Sequence, residues 1–234
     1  MSLYEQQWQM LVEVAQALGP ELRQKVVFVG GCTTGLLVTD EYTREQVRAT
    51  NDVDLIVSVA GYASWQRLKE QLQRRGFREP SPADEAMPIC AMKLGGLRVD
   101  LMPDTEAVLG FSNDWYARAV ATAWRCAMDG DLSINVVTPP LFLATKLVAY
   151  RGRGEDDALV SRDIEDILNI VDGRPELIGE VATSPTDVRH FIAQEIADLS
   201  GRDDFALAVQ SHANDRDREA LIFERLSTIS GIPR

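Results

Sequence analysis

Apolar positions along this chain change their period several times, and each change marks an element. Trp8, Leu11, Val12, Ala15 and Leu18 recur at helical spacing and stop at Gly19-Pro20, which predicts a first helix with one face on the body of the protein. The apolar run Val26-Val27-Phe28-Val29 predicts a strand over Lys25 to Val29, and Asn51 to Val57 predicts a second. The helical period returns over Tyr62 to Arg75, with Trp65, Leu68 and Leu72 inward and Gly76 as the C-cap. Pro80-Ser81-Pro82 marks a loop. Ile89 to Met92 and Leu97 to Met102 follow as strands, with Gly95-Gly96 as a two-residue hairpin turn. A helix from about Asn113 to Ala123 then leads to a hairpin of Trp124 to Met128 and Leu132 to Val137 around Asp129-Gly130-Asp131.

Beyond Thr138-Pro139-Pro140 the strand signals end. Residues 140 to 229 read as successive helices broken at Gly152-Arg153-Gly154, Gly173-Arg174-Pro175, Ser184-Pro185 and Gly201. Strands and helices mix without strict βαβ alternation, so the expected class is α+β, with a sheet domain over residues 1–138 and a helical C-terminal region over 139–234 packing on it.

Composition narrows the function classes. The chain has 234 residues, 45% hydrophobic and 26% charged, which is the balance of a soluble globular protein. No apolar run reaches the length of a membrane span, and the polar start Met1-Ser2-Leu3-Tyr4-Glu5-Gln6 lacks the features of a signal peptide, so a cytoplasmic protein with no membrane partner is expected. A net charge of −12 weighs against extended DNA binding, which depends on many phosphate-neutralising cations. Arg67, Lys69, Arg74, Arg75 and Arg78 read as a solvated helix face, and Glu155-Asp156-Asp157 as an acidic loop. Cys32, Cys90 and Cys126 cannot all pair and show no metal-ligand spacing; Cys32 reads as a packing residue. His190 and His212 read as structural or surface residues, and Trp115-Tyr116 as core.

The candidate chemistry lies between residues 30 and 100. Gly30-Gly31 ends the first strand and opens a helix, where bare backbone N–H groups suit phosphates. On the next strand Asp52 and Asp54 project to one side, about 7 Å apart by strand rise. Leu97, Val99 and Leu101 alternate with Arg98, Asp100 and Met102, so Asp100 completes a carboxylate triad if its strand neighbours that of Asp52 and Asp54. Carboxylates with substrate phosphates suit Mg²⁺, which makes a metal-nucleotide site the expectation. Further on, Leu143, Leu147 and Tyr150 form a buried stripe with Lys146 at its margin, where its stem can snorkel or its ammonium can meet a phosphate. Ser161 reads as an N-cap, with Ile164, Ile167, Leu168 and Val171 inward and Asp163 and Asp166 on the flank; Arg151 reads as an exposed C-terminal helix cation.

Gly30-Gly31, Asp52-Val53-Asp54 and Asp100 on a later strand resemble the signature of the DNA polymerase β-type nucleotidyltransferase superfamily. Leu143 to Arg151 and Ser161 to Ile167 are similar to the lysine and aspartate motifs of its AbiEii/AbiGii toxin-like nucleotidyltransferases. The resemblance covers roughly residues 25 to 173, and it departs at Thr39 to Thr50, which look like an inserted loop. It implies a polymerase β-like mixed sheet with flanking helices, with Asp52, Asp54 and Asp100 as ligands of Mg²⁺ or Mn²⁺. It implies nucleotide contacts from Gly30, Gly31, Thr33 and Lys146, and places Asp163 in the catalytic set. An NTP is the implied substrate, an RNA end, a protein side chain or a small molecule the acceptor, and an antitoxin-type protein a partner. A catalytically idle nucleotide-binding or partner-binding module is the alternative that the residues leave open.

Overall fold

The computed structural model describes residues 2–81, 84, 87–153 and 157–233. Pro82, Gly154, Glu155 and Asp156, assigned above to loops, lie outside the described residues. Along the chain run α1 (Leu3–Arg23), β1 (Val26–Val29), a 3₁₀ turn (Gly31–Thr33), α2 (Thr34–Leu37), α3 (Glu41–Gln46), β2 (Asp52–Val57) and α4 (Tyr62–Gln73). β3 (Phe77–Arg78), β4 (Ala91–Leu94), β5 (Leu97–Pro103), α5 (Tyr116–Thr122), β6 (Trp124–Ala127) and β7 (Ser133–Val136) follow. The helices α6 (Pro139–Gly152), α7 (Arg162–Gly173), α8 (Leu177–Thr183), α9 (Thr186–Ser200), α10 (Asp203–His212) and α11 (Arg216–Ser230) complete it. The class is α+β. Two compact units divide these elements: residues up to Thr33 with Arg48–Thr138, and Thr34–Val47 with the residues from Pro139 onward.

The first unit holds a seven-stranded mixed sheet in the order β3-β4-β5-β2-β1-β7-β6. β1 is antiparallel to β2 and parallel to β7, while β2 is parallel to β5 and the outer pairs are antiparallel hairpins. All four residues of β1 are buried, as its continuous apolar sequence requires of a central strand. Ile89 is exposed and belongs to a turn before β4, so the strand expected from Ile89 starts two residues later.

Helix α1 begins with a capping box between Ser2 and Glu5, and its first helical run stops at Gly19-Pro20 as expected. Gly19 leaves helical geometry at φ 64° and the chain kinks and resumes to Arg23, because Pro20 then sits where a new first turn needs no N–H donor. A side chain at Gly19 would also collide with the Arg75 guanidinium. Within α4 Trp65 and Leu72 are buried, and Leu68 is half-buried.

The second unit is helical. Residues 39–50, expected to be an inserted loop, contain α3, and the segment Thr34–Val47 belongs with α6–α11. Asp40 caps α3 by accepting from the Thr43 N–H at 2.9 Å. The Thr39 and Asp40 N–H groups both donate to the Gly173 carbonyl at 2.9 Å, and the Thr43 hydroxyl donates to Asp172 at 2.8 Å. Gly173 leaves no space for a side chain, since a Cβ there would lie 2.5 Å from Val38 Cγ1. Arg218 on α11 ion-pairs with Asp40 at 2.9 Å and with Asp172 at 2.5 Å. The break between α10 and α11, unmarked by Gly or Pro, is made by Asp215, whose carboxylate accepts from the Arg218 N–H.

Candidate functional site

Register brings three of the expected acids onto one face of the sheet. Asp54 is paired with Asp100 across the parallel β2 and β5 strands, and Asp52 with Arg98. Directly paired residues share a face, and residues two apart on a strand do as well, so Asp52, Asp54, Arg98 and Asp100 all project to the same side. Val53, Leu55, Val99 and Leu101 fill the opposite face and are fully buried. Asp52 and Asp54 are half-buried, and Asp100 is buried.

Gly30 shapes the floor beside this face. On the other side of β2, Val29 pairs with Asp54, and Gly30 turns the chain at φ 82°. A Cβ at Gly30 would fall on the Asp54 carboxylate, so only glycine leaves that carboxylate its place. Thr33 is fully buried and its hydroxyl donates to the Gly30 carbonyl at 2.8 Å, which braces the turn from inside. The helix expected after Gly30-Gly31 is a 3₁₀ turn and the four residues of α2, too short to add much dipole to the N–H groups of the turn.

The acids are not bare. Arg98 Nε donates to Asp100 Oδ1 at 2.8 Å and Arg98 Nη2 donates to Asp100 Oδ2, a two-point grip on both carboxylate oxygens. The Asp100 bond, with smaller contributions from the charges of Asp52 and Asp54, raises the Arg98 pKa above its ordinary value. Thr50 donates its hydroxyl to Asp52. Burial, with Asp100 adding to it, pushes the Cys90 thiol up to about 12, so Cys90 stays a neutral packing group.

Among the described residues no three acids, histidines or cysteines are grouped closely enough to hold a metal ion. Carboxylates are the donors that suit a hard divalent cation, and three of them share this face, with both oxygens of Asp100 engaged by Arg98. Arg98 itself went unrecognised as a site residue in the sequence, although its two-residue spacing from Asp100 put it on the acid face.

Lys146 and Asp163 come together in the helical unit. Lys146 Nζ lies 2.6 Å from Asp166 Oδ2 and 3.2 Å from Asp163 Oδ1, and Arg153 Nη1 lies 2.5 Å from Asp163 Oδ2. The Thr34 hydroxyl donates to Asp166 at 3.3 Å. Asp163 and Asp166, expected on the flank of the helix, are 2% and 0% exposed, so each requires this pairing. Lys146 is buried as well, and its stem does not simply snorkel to solvent. Ser161 caps α7 as expected, and Ile164, Ile167, Leu168 and Val171 are buried.

Elsewhere the outcomes are simpler. Arg151 is exposed at its helix end and pairs with Glu195 at 2.7 Å. Lys69 and Arg78 of the basic cluster pair with Glu79 and Asp84. Trp115 and Tyr116, expected in the core, are half-buried, because α5 begins there at the end of a loop. Among the described residues no helix is long and apolar enough to cross a membrane. No protein-family model matches the chain, and no curated protein matches it.

Proposed function

We propose that this chain is a divalent-metal-dependent nucleotidyltransferase that moves an NMP from an NTP to an acceptor hydroxyl. The observation that carries the reading is the parallel register Asp54↔Asp100, which joins a third acid to the Asp52/Asp54 pair on one face, beside a turn that only glycine fits. The superfamily resemblance supports the same reading and the finer assignment of the sheet as polymerase β-like.

Asp52 and Asp54 would hold Mg²⁺ or Mn²⁺, with Asp100 joining them. When bound, the metal supplies charge stabilisation at the phosphoryl oxygens during in-line displacement. By the same resemblance, the Gly30-Gly31 turn would contact the phosphates. Asp100, where it is not a ligand, would take the proton of the acceptor hydroxyl. Acceptors on an RNA end, a protein side chain and a small molecule are each compatible with this chemistry. A toxin-like role, with an antitoxin-type partner, rests on the resemblance alone.

One observation favours the second reading, an idle nucleotide-binding module: both oxygens of Asp100 are engaged by Arg98. Both readings require Mg-NTP binding, so thermal melts with each of the NTPs at millimolar Mg²⁺ test their common ground. Stabilisation of about 2.7 kcal/mol is expected at a hundredfold excess over Kd, and Asp52→Asn with Asp54→Asn should abolish it. A wild-type protein indifferent to every Mg-NTP would overturn both readings.

A further inference from the structure

On the metal-dependent reading above, Asp100 is needed as a ligand while it is already occupied. Its side chain is 7% exposed, and a carboxylate so buried requires a counter-charge at all times. Arg98 supplies that charge through two parallel N–H bonds, the strongest geometry open to a carboxylate. Arg98 is itself only one-third exposed and lies directly opposite Asp52 in the strand register. The guanidinium therefore supplies positive charge on the face that these acids share.

We propose that Arg98 is the resident counter-ion of the acid face and competes with the divalent cation for Asp100, so that the third carboxylate becomes a ligand only when the Arg98–Asp100 pair opens. Arg98 is then a positioning residue with two effects of opposite sign. It stabilises the metal-free protein by neutralising Asp100, and it weakens metal binding because its grip must be broken first. Metal occupancy and the ion pair are coupled, and the coupling is reciprocal. A neutral residue at position 98 removes the competitor and leaves the buried carboxylate dependent on metal.

The test measures Mn²⁺ binding directly, by titration calorimetry or by the loss of the free-ion electron-spin signal, with no nucleotide present. Arg98→Gln should bind Mn²⁺ about tenfold more tightly than wild type, within the usual range of coupling between two events. Its metal-free melting temperature should fall and recover on adding Mn²⁺. Arg98→Lys, which keeps the charge without the two-point grip, should fall between the two proteins and covers the case in which Arg98→Gln does not fold. Lys93→Gln removes one positive charge from the strand position paired with Arg98 while leaving Asp100 gripped, and should change affinity much less. Asp100→Asn in the Arg98→Gln background should cancel the gain. Equal Mn²⁺ affinity in wild type, Arg98→Gln and Arg98→Lys overturns the competition while the metal site stands. An equal gain in Lys93→Gln overturns it in favour of general electrostatics. No Mn²⁺ binding by any of these proteins overturns the metal-dependent reading and the competition with it.

Discussion

Gly30 and Lys146 show how much single residues decide in this molecule. At Gly30 the positive φ and the lack of space beside Asp54 act together, so Gly30→Ala is expected to cost about 1 kcal/mol or more in stability. In whatever fraction folds, the Asp54 carboxylate is displaced and Mn²⁺ affinity falls. Gly96→Ala is the matched control, since a Cβ there meets nothing within 4 Å. Denaturant melts and Mn²⁺ titration of the two variants check this, and equal behaviour would remove Gly30 from the site. Lys146 carries a different consequence. Its ammonium is held between two carboxylates that are 3% and 0% exposed, so Lys146→Met should destabilise the fold by about 3 kcal/mol, the lower end for breaking a buried pair, because Arg153 and Thr34 remain. Adding Asp163→Asn and Asp166→Asn to the same chain should restore much of the loss. Denaturant unfolding of both variants measures it, and an unchanged midpoint for Lys146→Met would show that the ammonium is not the carboxylates' essential partner.

At the scale of elements, strands were legible where both faces had a clear demand. β1 is apolar throughout and central, and β2 and β5 alternate acids with buried aliphatics, so each could be anticipated as a strand with one acidic face. The parallel register that sets Asp54 against Asp100 could not, because side-chain alternation fixes the face of a strand and leaves its neighbour open. α3 was missed for a physical reason. Its sequence, Glu41-Tyr42-Thr43-Arg44-Glu45-Gln46, has no apolar period, and it is held by a cap, a hydrogen bond to α7 and an ion pair to α11. The burial of Asp163 was hidden likewise, since an acid in a first turn normally serves the helix dipole in solvent. Asp40→Ala should therefore cost about 1 kcal/mol for the lost cap, and more through Arg218. The Thr43 backbone N–H first, then its hydroxyl and Arg218, hold the Asp40 pKa below its ordinary 3.8. The sign follows: the Asp40 contribution is complete above pH 3.8 and is lost as pH falls through the lowered folded value. Denaturant melts at neutral and acid pH should show wild type and Asp40→Ala converging in stability at the acid end, and a constant gap between them would contradict this.

For the whole molecule, the α+β class and the helical C-terminal region followed from where the apolar period changes, and the place of Thr34–Val47 did not. The segment Thr34–Val47 leaves the sheet unit's sequence and belongs with the helices, a long-range pairing that no local pattern records. The central claim concerns the acid face, and transfer of label from an α-³²P-labelled NTP to total cellular RNA, protein and metabolites tests it most directly. With Mg²⁺ or Mn²⁺ present, wild type is expected to label one acceptor class with at least one of the four NTPs, and Asp54→Asn to label none. Labelling by Asp54→Asn equal to that of wild type, or no labelled acceptor with any NTP, would contradict the account.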